Sequence, residues 1–327
     1  MGAILIIGGA GYIGSHVVLE FLNAGHEVTV LDNMSSGQQI NLQPKAKFIH
    51  ADIQDRVKLR EIFKVHYDAI VHLAALKAAG ESMFIPELYS VQNINGTMNI
   101  LDAMSNSSCK IFIFSSSAAV YGMPEYLPLD EQHPLKPINF YGFTKLEIER
   151  FLEWFDQLKG IKFASLRYFN AAGYDTEKKV KGLEKNPANL LPIIMEAVIG
   201  IRPKMSVFGK DYPTLDGTCI RDYIHVTDLA TAHLKAFETI HKNQQSMKVN
   251  LGTGKGFSVL DMIQTTEAVT GKKVNYDVVG RREGDPAELY AKAEMAKALI
   301  NWEATQSDLE TLVRSTWEIY QLNDVKK

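Results

Sequence analysis

The chain predicts an α/β fold: a doubly wound parallel sheet with a smaller C-terminal domain of mixed α/β structure. Three observations predict it. Short apolar, β-branched runs alternate with longer amphipathic stretches, the runs are too continuous for half-solvated strands, and the alternation is regular to about Tyr168 before loosening. A strand–helix–strand series of this kind returns its strands parallel, with helices on both faces.

Taken in order, Ala3–Ile7 is a strand that glycines interrupt at once, and Tyr12–Asn23 is the helix that follows. Strands are then expected at Val28–Asp32, Lys47–His50, Ala69–His72, Lys110–Ser115, Lys162–Arg167 and Met247–Leu251. The helical stretches are Asp55–Lys64, Pro86–Met104, Phe140–Lys159, Asn189–Ile199, Val226–Ile240, Ser258–Thr270 and Ser307–Leu322. Beyond Tyr168 the connections are rich in Gly, Pro and Asp, as in Gly209–Pro213 and Gly280–Pro286. The division expected is therefore 1–170 and 171–327, with the stretch around 225–260 returning to the first domain. No internal repeat, low-complexity tract or heptad is present.

Composition narrows the function. With 327 residues the chain can bury a large core, and Lys+Arg 35 against Asp+Glu 38 gives a net charge of −3. No bulk cationic field exists to hold a phosphate backbone or an anionic bilayer, so neither nucleic acid nor membrane is an expected partner. Two cysteines, Cys109 and Cys219, stand far apart without a C-x-x-C or a Cys/His cluster, which suits a reducing cytosol and argues against a bound metal. No stretch approaches the roughly 18 apolar residues of a membrane span, and Ile6 spoils the myristoylation pattern begun by Gly2. The expectation is a soluble, cytoplasmic protein.

The first motif is Gly8-Gly-Ala-Gly11-Tyr-Ile-Gly14, lying between a strand and a helix. Gly8 and Gly11 permit a tight turn and close backbone approach, and Gly14 lets the helix pack closely. A pyrophosphate would sit on the helix N-terminus, where unpaired N–H groups and the dipole favour an anion. A glycine-rich turn alone is also compatible with a plain turn. Asp32, 18 residues beyond Gly14 at the end of the next strand, adds a carboxylate able to accept both adenosine-ribose hydroxyls. The same charge repels a 2′-phosphate, so the reading is a Rossmann-type domain for NAD rather than NADP, against the alternative of a turn aspartate in Asp32–Gly37. The spacing G-x-x-G-x-x-G is the variant of short-chain dehydrogenase/reductase proteins.

The second constellation is Ser115-Ser-Ser117 with Tyr141-x-x-x-Lys145. Tyr141 and Lys145 project from one face of a helix, and an ammonium beside a phenol stabilises the phenolate, as would a positively charged nicotinamide ring. That makes Tyr141 a general base near neutral pH. Ser117, read as ending a buried strand at the carboxyl edge of the sheet, can hydrogen-bond the reacting alcohol. Separately, a Tyr/Lys pair reads as a solvated helix face and a serine run as capping; the combination, in this order after a dinucleotide turn, is what carries information.

With these pieces the whole chain resembles the extended short-chain dehydrogenase/reductase superfamily, and within it the UDP-glucose 4-epimerase (UDP-galactose 4-epimerase) family. The resemblance rests on Gly8–His16, Asp32-Asn33, His72–Ser82, Asn93–Thr97, Phe114–Gly122, Tyr141–Lys145 and Arg167–Gly173. In the second half it rests on Asn189–Pro192, Phe208–Tyr212, Asp216–Val226 and Arg281–Asp285. It implies NAD contacts on Gly8, Gly11, Tyr12, Ile13, Asp32 and Asn33, with Asp52 and Ile53 near the adenine. Ala74, Lys77, Asn93, Ser115, Tyr141, Lys145 and Tyr168 complete that pocket. Asn93 also reads as a helix residue bonding backbone, and Lys77 as a solvated loop charge. For a UDP-sugar the resemblance implies Ser117, Tyr141, Asn170, Asn189, Phe208, Arg221, Arg282, Asp285 and Leu289. Two arginines can neutralise a diphosphate and an aromatic ring can cover a uracil face, although Arg281/Arg282 also reads as a surface pair.

The implied reaction is interconversion of UDP-galactose and UDP-glucose through transient oxidation at C4, in a homodimer formed through Pro86–Met104 and Phe140–Lys159. A nucleotide-sugar 4,6-dehydratase would need an acidic pair where this chain has Ala118 and Ala119, and alanine can neither give nor take a proton. UDP-glucuronate decarboxylase, a superfamily reductase and a silent NAD-sensing scaffold are the other readings, the last opposed by the intact Ser117/Tyr141/Lys145 set. The chain departs from the pattern at Ala119, often threonine; at Lys292, commonly Asp or Asn; and at Leu289, often Tyr or a smaller Cys/Ser. Leu289 leaves open weak turnover of the N-acetylated UDP-hexosamines.

Overall fold

The computed structural model describes residues 1–324 except 186 and 283. The motif Arg281–Asp285 therefore includes one residue, Glu283, outside those described. The central sheet is built from seven strands, numbered within it β1 (Ala3–Ile7), β2 (Glu27–Asp32), β3 (Lys47–His50), β4 (Ala69–His72), β5 (Ile111–Ser115), β6 (Lys162–Tyr168) and β7 (Met247–Leu251). All pair in parallel, in the order β7-β6-β5-β4-β1-β2-β3. The order reverses direction between β1 and β4, the place where open α/β sheets form their ligand crevice, beyond the carboxyl ends of the strands.

Apolar residues cover both faces, which is why β1 and β4 read as continuous hydrophobic runs. On one face Val17, Val18 and Phe21 of the Tyr12–Asn23 helix meet Leu229 and Phe237 of the Val226–Asn243 helix. On the other, Leu59, Ile100, Leu101, Ile148 and Leu152 pack over Leu5, Ile70 and Phe112. The Val226–Asn243 helix and β7 thus join the sheet built by the first half. A separate core, with Leu191, Ile194, Val207, Met262, Leu312 and Trp317, supports the smaller lobe. Its strands are short: Met205–Phe208 pairs with Tyr276–Val279, and Ile220–Arg221 lies between Phe257–Ser258 and Glu288–Leu289.

Two differences from the sequence reading bear on the site. The Pro86–Met104 stretch is one helical path, but Ser90–Asn95 within it is a π-turn, so Asn93 sits in a local widening between α-helical pieces Pro86–Tyr89 and Gly96–Ser105. Ser117 does not end a strand: β5 stops at Ser115, and Ser117 caps the 3-10 turn Ala118–Val120, its hydroxyl accepting the Ala119 N–H at 3.2 Å. The Phe140–Lys159 helix has the limits expected, because Asn139 accepts the Gly142 N–H at 2.8 Å and Gly160 closes it at φ 65.

Candidate active site

The glycine-rich turn is shaped by contacts no larger residue could make. Gly8 has φ 86, and a Cβ there would stand 2.6 Å from the Ala74 N; a Cβ on Gly14 would stand 2.0 Å from the Gly8 carbonyl oxygen. Strand, turn and helix are therefore in backbone contact at the crevice. Gly11 caps the Tyr12–Asn23 helix with no side chain over its end, leaving its first N–H groups free of any side-chain cap. Asp32 is buried and accepts the Ala10 N–H at 2.9 Å and the Met34 N–H at 2.8 Å, so its carboxylate is fixed beside the turn. Asn33 donates to Asp52 at 2.8 Å, tying the ends of the second and third strands together, and Ile53 is buried against Gly96. A cradle of this shape, with an open helix terminus and a carboxylate one strand away, fits an adenine dinucleotide.

Lys77 and Asn93 stand differently from one another. Lys77 pairs with Glu184 across the turn rather than extending into solvent alone. Asn93 is buried, accepts the Leu76 N–H at 2.8 Å, and donates to the Leu76 carbonyl at 3.0 Å and Thr144 at 3.1 Å. Its amide holds the loop after β4 to the Phe140–Lys159 helix, which is the backbone-bonding alternative noted for it above. Residues Tyr174–Glu184, which sequence reasoning passed over, run with Gly173 across the turn's rim. The Gly173 carbonyl accepts from Tyr12 at 2.5 Å, the Gly182 N–H donates to Asn41 at 2.8 Å, and Gln38 donates to the Leu183 carbonyl.

The Ser, Tyr and Lys of the second constellation come together at the carboxyl end of β5. The Lys145 ammonium donates to the Ser115 carbonyl at 2.8 Å and lies 4.7 Å above the Phe114 ring and 5.8 Å from the Tyr141 ring. The Tyr141 N–H is held by the Ser82 hydroxyl at 3.0 Å, and the Ser117 side chain lies beside the Tyr141 phenol. Tyr168 completes the wall beside His233, which bonds the Ser115 hydroxyl at 2.8 Å. Burial pushes Tyr141 up to about 12, eased by the neighbouring Ser117 side chain, and pushes Lys145 down to about 7 against the pull of Glu149. Desolvation is the largest influence on both groups, and the charge of a bound cofactor would act against it at the phenol.

The smaller lobe carries the two arginines. Arg221 is buried, paired with Asp285, and donates to the Pro286 carbonyl at 2.7 Å. Strand pairing sets Leu289 beside Arg221, and Leu289 also packs on the apolar cluster of Ala118, Val120 and Leu146. It therefore links the arginine strand to the segment that carries Ser117. Arg282 stacks at 4.4 Å over the half-exposed Phe208 ring, so guanidinium and aromatic face form one surface. Asn170 donates to the Asp222 carbonyl at 3.1 Å, and Asn189 precedes the Leu190–Val198 helix with its side chain uncommitted to the cap. Lys292 is a surface residue paired with Glu294 at 3.0 Å. Sequence reasoning missed the fully buried Glu149, whose signal was a charge one turn after Lys145 on the helix's inner face. Among the described residues no group of three His, Cys, Asp or Glu side chains could hold a metal ion.

A dinucleotide cradle and a Ser/Tyr/Lys set facing it across the sheet's switch point define an NAD-dependent enzyme acting on an alcohol carbon. The chain belongs to the NAD dependent epimerase/dehydratase family, whose model matches residues 4–252. It is 44% identical to the UDP-glucose 4-epimerase of Halalkalibacterium halodurans over 96% of this chain and 94% of that one. The crystal structure of UDP-glucose-4-epimerase from Stenotrophomonas maltophila with bound NAD and formylated UDP-arabinopyranose matches with a TM-score of 0.96 at 37% identity, covering 100% of both chains. The UDP-Glc/GlcNAc 4-epimerase of Campylobacter jejuni matches with a TM-score of 0.87 at 38% identity, covering 98% of this chain and 100% of that one.

Proposed function

We propose that the protein interconverts UDP-galactose and UDP-glucose by transient oxidation at C4, with Ser117, Tyr141 and Lys145 as its catalytic residues. The observation that supports this reading is the packing of Leu289, paired with Arg221, on the Ala118–Leu146 cluster next to Ser117, with Lys145 and Tyr141 beside it at the end of β5 and the Gly8–Gly14 turn at the end of β1. Tyr141 takes the proton of the sugar 4-hydroxyl, Lys145 sustains the resulting phenolate, and Ser117 orients the oxygen. Bound NAD supplies the acceptor, and afterwards the donor, of the C4 hydride. The 4-keto sugar turns over while Arg221, Arg282, Phe208, Asn170, Asn189 and Asp285 hold the UDP, and Tyr141 gives the proton back. Gly8, Gly11, Tyr12, Ile13, Asp32, Asn33, Asp52, Ile53, Ala74, Lys77, Asn93, Ser115 and Tyr168 form the NAD pocket in this reading, with Asn93 acting through the loop it fixes.

Purified protein given UDP-galactose without added NAD yields UDP-glucose on separation of the hexose products. Accumulation of NADH with a released keto sugar would make it a dehydrogenase. Loss of water by mass spectrometry would restore the dehydratase reading that Ala118 and Ala119 oppose.

The division into an NAD-binding domain, 1–170, and a UDP-sugar-binding domain, 171–327, is part of the proposal, with 225–260 serving the first through the Val226–Asn243 helix and β7. Cytoplasmic residence is supported by two buried free thiols. Homodimerisation through the Pro86–Met104 and Phe140–Lys159 stretches is supported by exposed Leu88, Val91, Phe143, Trp154 and Leu158.

Leu289 sets the room for the sugar's 2-substituent. It is smaller than tyrosine and larger than serine, and overpacking costs about 1–3 kcal/mol, or roughly ten- to a few-hundred-fold in rate. The plain sugars are preferred and the N-acetylated UDP-hexosamines turn over weakly. Leu289→Tyr abolishes the acetylated reaction and spares the plain one, while Leu289→Ser raises it. An unmoved kcat/KM for the acetylated pair in both variants would refute the size argument.

A further inference from the structure

We propose that Glu149 is a positioning residue of the reaction: one buried carboxylate, a helical turn from Lys145, supplies its counter-charge and pins the segments that carry Ser117 and Tyr168. The proposal rests on the epimerase reading. Glu149 is fully buried and Arg167 nearly so. Arg167 donates to the carboxylate through Nε at 3.0 Å and Nη2 at 2.6 Å, and the Ser116 hydroxyl donates to Oε1 at 2.6 Å. Arg167 also donates to the Tyr121 hydroxyl at 3.0 Å, which donates at 2.6 Å to Asn250 on β7. Ser116 adjoins Ser117, Arg167 adjoins Tyr168, and Glu149 lies one turn from Lys145. One side chain therefore registers three segments of the site.

A buried ion pair is a poor means of gaining stability, since an apolar replacement of equal volume is often as good. Its place beside Lys145 gives it another use. The Lys145 ammonium sits against a carbonyl and the Phe114 ring, surroundings that favour loss of its proton. The histidines and phenols around it are uncharged. His72 on β4 is pushed down to about 3 by burial and His233 on the Val226–Asn243 helix to about 4, so both are neutral. Tyr141 on its own helix, Tyr121, Tyr168 on β6 and Tyr89 are all raised and neutral. Arg167 on β6 is a second cation, and Glu131 lies at the network's far end on the Asn250 N–H. Among the described residues facing Lys145, Glu149 is thus the anion that opposes its neutralisation.

The test uses three variants of the full chain: Glu149→Gln, the charge-neutral double Glu149→Gln/Arg167→Gln, and Glu149→Asp. Lys145 is titrated by NMR of 13Cε-labelled lysine, assigned against Lys145→Met, and kcat is measured against pH. In Glu149→Gln the Lys145 midpoint falls by about one unit or more, in the double variant it falls by less because the Arg167 cation is lost with the anion, and in both the basic limb of the kcat profile follows it down. KM for UDP-galactose changes little. Glu149→Asp, which keeps the charges and withdraws the carboxylate by one methylene, moves both in the same direction by less, and it decides the matter if the other two do not fold. A wild-type midpoint and limb in every variant that folds would show a purely structural pair and overturn the proposal. Wild-type turnover of UDP-galactose tests the epimerase reading separately, because the NMR midpoint needs no turnover.

Discussion

Tyr141→Phe lowers kcat by at least roughly 10²–10⁴-fold while UDP binding persists. The ring is retained, and so are the backbone contacts that seat it: the Tyr141 N–H on Ser82 and the Asn139 cap on the helix. Only the oxygen that takes and returns the proton is lost. The hydroxyl lies beside Ser117 in a buried setting that keeps it neutral, and the nearby Tyr168 and Tyr89 phenols are raised as well, so neither stands ready to replace it. Stopped assays of kcat and KM, with calorimetric titration of UDP, separate the two effects. Turnover close to wild type would remove Tyr141 from the chemistry.

Gly14→Ala has an effect of similar size for a different reason. Alanine is the better helix former by about 1 kcal/mol, so propensity alone favours the substitution. The Cβ, however, would lie 2.0 Å from the Gly8 carbonyl oxygen and 2.9 Å from the Gly9 Cα, and backbone cannot rotate aside as a side chain can. The turn and the helix N-terminus must separate, at a cost upward of about 3 kcal/mol, which corresponds to more than about 10²-fold in cofactor affinity if it falls on the bound state. The variant should purify without NAD and show a lowered thermal midpoint. Gly80→Ala is the control, since Gly80 has φ −63 and a Cβ there would meet nothing within 4 Å. Equal NAD content in the Gly14→Ala and Gly80→Ala proteins would refute the packing argument.

What was legible in the sequence was what local spacing determines. The turn glycines follow from a strand running straight into a helix, and Tyr141 and Lys145 from an i, i+4 pair on a helix with clear caps. The π-turn at Ser90–Asn95 was not legible, because inserting a residue in a helical turn leaves the apolar pattern of the flanking turns almost unchanged. The Arg221–Leu289 pairing was hidden for another reason: two-residue strands carry no periodicity. Arg167 and Glu149 lie on different elements and make their partnership only in three dimensions. The depth at which Tyr141 and Lys145 lie was not legible either, because the sequence shows a neighbouring charge but not how deeply both groups are buried.

The position of β7 constrains the order in which the protein can become itself. Until Met247–Leu251 is made, β6 is a bare sheet edge, and Tyr121 and the Leu129 carbonyl lack Asn250, which accepts from one at 2.6 Å and donates to the other at 3.1 Å. A nascent chain that has only just emerged past Lys162–Tyr168 thus exposes a strand edge open to pairing with other chains. The sheet closes only when a segment some eighty residues downstream arrives, with the intervening polypeptide carried as a loop. Synthesis therefore does not yield a finished first domain followed by a second: a fragment ending before β7 should aggregate where the full chain remains dispersed.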